Sequence, residues 1–157
     1  MLTTLGAFHT AFGLVALVAG AVGLWRDGEI THRNDLGKVY IATTVITCIT
    51  GFGIFQHGGF GKPHALGVLT LLVLAMVTVA ASTHLFGRWT THVQTVGYSA
   101  TFLFHWIPGI TETSTRLPVG KPLFDSPEAP GLQIIGGVLF LIFLVGAYVQ
   151  VKRLGRR

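Results

Sequence analysis

Seven histidines stand in a chain of 157 residues, and they are the residues most able to do chemistry. Imidazole is the commonest metal ligand and the one side chain that titrates near neutrality unaided. They fall at positions 9, 32, 57, 64, 84, 92 and 105. The single cysteine, Cys48, lies inside an apolar run. It cannot form a disulfide within the chain and reads as a small buried hydrophobe.

Spacing tests what the histidines can hold. Di-haem helices of the ferric reductase and NADPH oxidase type carry paired histidines thirteen or fourteen residues apart on two helices. His92 and His105 are thirteen apart, but no second helix repeats the pattern. His64 and His84 are twenty apart, which is about 200° around a helix, so they cannot address one seam. The spacing leaves room for one haem b or one transition-metal ion, and not for a full di-haem signature. Histidines near a membrane surface also contact headgroups without any cofactor.

The elements that position these residues follow from composition. Half the chain is hydrophobic, 11% is charged and the mean hydropathy is +0.64. Soluble domains carry roughly 25% charged residues, so this chain could not cover a water-facing surface. The net charge of +5 does not signal nucleic acid, because the basic residues sit in short clusters between apolar runs rather than over one face.

A helix needs roughly 20 mostly apolar residues to cross a bilayer. Five stretches qualify, near 5–25, 36–56, 64–86, 93–110 and 132–151. The expected fold is therefore an all-α integral membrane bundle of about five transmembrane helices in a single domain. The first stretch lacks a basic leader and reads as a retained helix rather than a signal peptide. The segment 111–131 holds Pro118, Pro122, Pro127 and Pro130 and is expected to lie as an extended, semi-ordered lid.

Five spans place eight lysines and arginines on one side and three on the other. The positive-inside rule assigns the richer side to the cytoplasm, with the N-terminus outside. His9, His57, His64 and His105 then belong to the outer half. His32, His84 and His92 lie near the cytoplasmic surface.

Helix faces add detail. Gly6, His9, Gly13, Ala16, Gly20 and Gly23 form one stripe of the first helix, a seam for close packing. Tyr40, Thr44, Thr47 and Gly51 share a face of the second. On the fourth, Gln94, Tyr98, Thr101, His105 and Glu112 form a polar stripe that must face the bundle interior or a water cavity. Pro108 and Gly109 are expected to kink or end that helix. Glu112 and Arg116 could pair if it continues. The fifth stretch is apolar nearly all round and is expected at the periphery, or against a partner.

Two segments carry a resemblance. THRNDLGKVYIATTVITCITGF, with His32, Gly37, Lys38 and Tyr40, resembles the opening of a family of small bacterial polytopic inner-membrane proteins of unknown function. THVQTVGYSATFLFHWIPGITETSTRLP, with His92, Tyr98, Ser99, Leu117 and Pro118, resembles a later segment of such proteins, although Tyr98–Ser99 reverses the expected order. The resemblance implies a bacterial inner-membrane location and supplies no activity.

Three functional readings follow. The leading one is a redox-associated membrane protein binding haem b or a metal ion through His9 and His105 at matching depth, with His64 as substitute. The second is a non-catalytic accessory subunit or assembly factor, its polar stripe a helix–helix interface, with a membrane-protein partner or a second copy of itself. The third is a proton or metal-ion pathway through Tyr98, His105 and Glu112.

Overall fold

The computed structural model describes residues 3–55, 59–83 and 85–156. These form five α-helices: α1 (Thr4–Asp27), α2 (Asp35–Gly51), α3 (Lys62–Thr83), α4 (Thr90–Ser114) and α5 (Pro130–Leu154). A short 3-10 turn, Gly87–Trp89, leads into α4. No strand occurs among the described residues. Three helices, α1, α3 and α5, are long and apolar enough to cross a membrane.

Local chemistry sets the helix starts. The Thr3 hydroxyl accepts from the Gly6 N–H at 3.1 Å, and the Asn34 side chain accepts from the Gly37 N–H at 2.8 Å. Each cap satisfies one of the amides left open at a helix start. Gly28 closes α1 at φ 74°, a left-handed conformation that favours glycine.

The boundaries depart from the sequence reading at three places. Helix α2 stops at Gly51, so its 17 residues span about 25 Å, and Gln56 lies outside the described residues. Helix α4 neither ends nor breaks at Pro108–Gly109 but runs on to Ser114. Proline there removes a single ladder hydrogen bond. Beyond it, the Thr111 and Ser114 hydroxyls bond back to the Ile107 and Ile110 carbonyls at 2.8 and 2.7 Å. The proline-rich segment is no extended strap. It folds back so that the Phe124 N–H meets the Ser114 carbonyl at 3.1 Å and the Leu123 N–H meets the Leu117 carbonyl.

Packing is inside out relative to a water-soluble protein. The fully buried residues are as much polar as apolar, Tyr40, Thr44 and Thr101 beside Ala16, Val77 and Ala80, while Leu14, Val18, Leu72, Leu141 and Val145 are exposed. Lipid-facing helices show this pattern, because lipid solvates leucine and cannot solvate a hydroxyl. Helix α4 is central, touching α1, α3 and α5. Of the small-residue stripe on α1, Gly6, Ala16, Gly20 and Gly23 are buried. A Cβ at Gly20 would meet the Phe102 ring at 2.6 Å and Tyr40 at 3.0 Å. Helix α5 is peripheral, with only Leu132 and Gln150 buried.

Candidate functional site

The polar interior is built around the threonine face of α2. Each of Thr43, Thr47 and Thr50 donates its hydroxyl to a carbonyl of the preceding turn, at 2.7, 2.7 and 2.8 Å. Such back-bonding lets hydroxyls be buried without a charge. What remains is acceptor capacity on α2, and both proposed ligand histidines use it.

His9 places Nδ1 3.0 Å from the Thr47 carbonyl and 3.3 Å from the Thr50 hydroxyl. A carbonyl only accepts, so Nδ1 carries the proton and Nε2 keeps its lone pair. The ring rests on α2 where a Cβ at Gly51 would meet it at 3.1 Å.

His105 is buried, with Nε2 3.0 Å from the Thr44 hydroxyl and its ring edge-on to Tyr40. The Tyr40 hydroxyl lies 2.8 Å from Thr101 Oγ1, and Thr101 donates onward to the Tyr98 carbonyl at 2.8 Å. Thr101 has one proton, so Tyr40 must be the donor between them. Thr44 also lies beside Tyr40. Tyr40 thus donates to Thr101 and Thr101 to a carbonyl, while the His105 ring and the Thr44 hydroxyl share a hydrogen bond beside them. Such chains polarise cooperatively in a low-dielectric interior.

The register of these contacts bears on the metal reading. Tyr40 with Thr101 and Thr44 with His105 put α2 and α4 parallel. Gly13 against Thr47 and Gly20 against Tyr40 put α1 and α2 antiparallel. His9 therefore sits at the level of Thr50, and His105 at the level of Thr44. Six residues of helix separate those levels, about 9 Å. The two histidines expected at matching depth are not at one depth. His105 also lies nine residues from the end of α4, about 14 Å, deeper than a helix ending near 110 implied. Within the described residues, no three His, Cys, Asp or Glu side chains converge on a point that could hold a metal ion.

The other sequence candidates fall in separate places. Gln94, Tyr98 and Thr101 are buried with His105, whereas Glu112 is exposed and pairs with Arg116 one turn on. Glu112 lies within electrostatic reach of His9. His64 opens α3, stacked between Phe55 and Phe60 with ring centroids at 5.1 and 5.3 Å. Its Nδ1 accepts from the Gly61 N–H at 3.2 Å, which leaves the proton on Nε2, so His64 fits a ligand role less well than His9. His32 lies by Tyr98, 6.4 Å between rings. His92 meets Trp89 edge-on at 5.1 Å. His57 and His84 lie outside the described residues.

A second polar group, at the other end of the bundle, is not apparent from residue spacing. The Thr95 hydroxyl donates to Glu29 at 2.8 Å, Ser99 donates to Gln150 at 2.9 Å, and Gln150 donates to the Gly28 carbonyl at 3.0 Å. These bonds tie α4, α5 and the α1–α2 loop together. Gln150, an amide at the far end of the apolar run of α5, was the available signal for that tie.

Compared with protein-family models, curated proteins and solved structures, the chain matches none.

Proposed function

We propose that the chain is a five-span accessory subunit or assembly factor of a membrane complex in the bacterial inner membrane, with its N-terminus outside and its C-terminus in the cytoplasm. Helix α5 carries this reading. Among the helices it contacts α4, with Gln150 reaching the α1–α2 loop, and a Cβ at Gly136, Gly137 or Gly146 would meet no atom within 4 Å. Glycine costs helix stability, and in membranes it is favoured where a second backbone approaches closely. A partner helix seated on α5 would supply that approach. The alternating directions of α1, α2 and α4 support five crossings, and the eight-to-three split of basic residues supports the orientation. In this reading the histidine and threonine seam is internal structure. His9 and His105 each find a partner on α2, at separate levels.

The test is the mass of the particle extracted in mild detergent. A complex larger than the 16.8 kDa chain should lose its partner when Gly137→Leu and Gly146→Leu are combined. A particle of one chain, unchanged by those substitutions, contradicts the proposal.

One observation favours haem b or a metal ion in a redox role. The Thr47 carbonyl holds the His9 proton on Nδ1, the arrangement in which a histidine offers Nε2 to a metal. Such a group would be held by His9 alone on this chain, with His105 a turn and a half deeper. A proton pathway is less well supported, since the Tyr40–Thr101 pair beside His105 ends on a carbonyl, which has no proton to pass on.

A further inference from the structure

We propose that Arg88, Trp89 and His92 form a headgroup site for an anionic phospholipid. The three side chains line an open groove of about 460 Å³ where the turn before α4 meets the helix. The Arg88 guanidinium lies over the Trp89 ring at 5.4 Å, and the His92 ring stands edge-on to the same indole. Trp89 is therefore the floor that holds both groups toward one space. Among the described residues Arg88 makes no ion pair with a carboxylate, so its charge is open to a ligand.

His92 sharpens the preference. Its Nδ1 is buried and has no hydrogen-bond partner. An unmet N–H is a costlier burial than an unmet lone pair on an under-used acceptor. The proton is therefore favoured on Nε2, which makes the ring a donor. A guanidinium fork and an imidazole N–H suit the oxygens of a phosphodiester, which only accept.

The surroundings select a lipid over a free anion. The groove is far larger than one phosphate. Trp89 is 54% exposed, and half-exposed indoles belong at the membrane–water boundary. Helix α3, which precedes the groove in the chain, exposes Leu72, Met76 and Val79, apolar surface of the kind acyl chains cover. The site does not depend on the accessory-subunit reading or on the orientation, since both leaflets offer phosphodiesters.

The experiment is native mass spectrometry of the purified protein in detergent, given equal phosphatidylglycerol and phosphatidylcholine of the same acyl composition. Phosphatidylglycerol should be retained several-fold over phosphatidylcholine. Arg88→Gln should lower its retention about fivefold, the effect of one basic residue near an anionic surface. Arg88→Lys should keep most of it, and Lys121→Gln, far from the groove in sequence, should leave it unchanged. Circular dichroism confirms that each variant is folded, and Arg88→Lys serves if Arg88→Gln is not. Equal retention of the two lipids overturns the proposal. So does a preference that survives Arg88→Gln combined with His92→Gln. Displacement of the lipid by millimolar inorganic phosphate would identify a free-anion site instead and overturn it as well.

Discussion

His105 Nε2 meets the Thr44 hydroxyl at 3.0 Å, six residues along α2 from the Thr50 hydroxyl that His9 meets at 3.3 Å. One helix face thus serves two histidines at two levels. The seam joins α1 and α4 through α2 by hydrogen bonds between neutral groups.

That arrangement makes Thr44 a sensitive position. Thr44→Val keeps the volume and leaves the buried His105 Nε2 without its partner. An unsatisfied buried donor costs about 1–3 kcal/mol. Thermal unfolding in detergent should show a lower midpoint for Thr44→Val and recovery for Thr44→Ser, which restores the hydroxyl. Equal midpoints for valine and wild type would mean that the seam contributes little.

Gly37 makes the closest approach of any glycine among the described residues. A Cβ there would overlap the Thr31 carbonyl, a backbone atom that cannot rotate away. Gly37→Ala should therefore destabilise by more than the roughly 1–3 kcal/mol of ordinary overpacking. Gly136→Ala, in open space on α5, should be neutral or stabilising by up to about 1 kcal/mol in the isolated chain. Melting curves of the two variants side by side decide this, and equal tolerance would contradict the packing at the start of α2.

His32 sits in the α1–α2 loop, outside the helices, where burial and then the neighbouring Arg33 charge hold its pKa below the ordinary 6.5. The folded state thus binds a proton less readily than the unfolded chain. Its contribution to stability is present above the unfolded value and is lost as pH falls through the folded one. Stability should drop on acidification below about pH 6.5, and His32→Asn should flatten that drop. An identical pH profile in the variant would exclude His32 as its source.

The orientation has its own test. A reporter active only in the cytoplasm should work when fused after Leu154, and one active only outside should work at the N-terminus. The reverse pattern would exchange the two histidine groups and place the Arg88 groove on the outer face.

Much of the fold is legible in the sequence because apolar length alone decides whether a helix can cross lipid. The runs holding Val18, Leu72 and Leu141 correspond to α1, α3 and α5, and the buried face of α4 was visible in the spacing of Gln94, Tyr98, Thr101 and His105. The course of α4 past Pro108 was not, because the missing ladder bond is one among many and the hydroxyls after it are not part of a helix-breaking signal. Nor was the level of His9 against His105. Depth within a single helix says nothing of how far neighbouring helices slide, and that sliding is set by contacts such as Phe102 on Gly20. The Gln150 tie joins residues far apart in the chain, so an amide at the end of an apolar run marks one end of it without naming its partners.

The central claim is that His9 and His105 are structural partners of α2 and do not share a cofactor. The most direct measurement is the visible absorption spectrum of the purified protein, with metal analysis, from a haem-replete and metal-replete host. The account predicts no Soret band and no stoichiometric metal, together with a lower melting midpoint for His105→Ala. A Soret band or one equivalent of metal that disappears in both His9→Ala and His105→Ala, with each variant still folded, would contradict it.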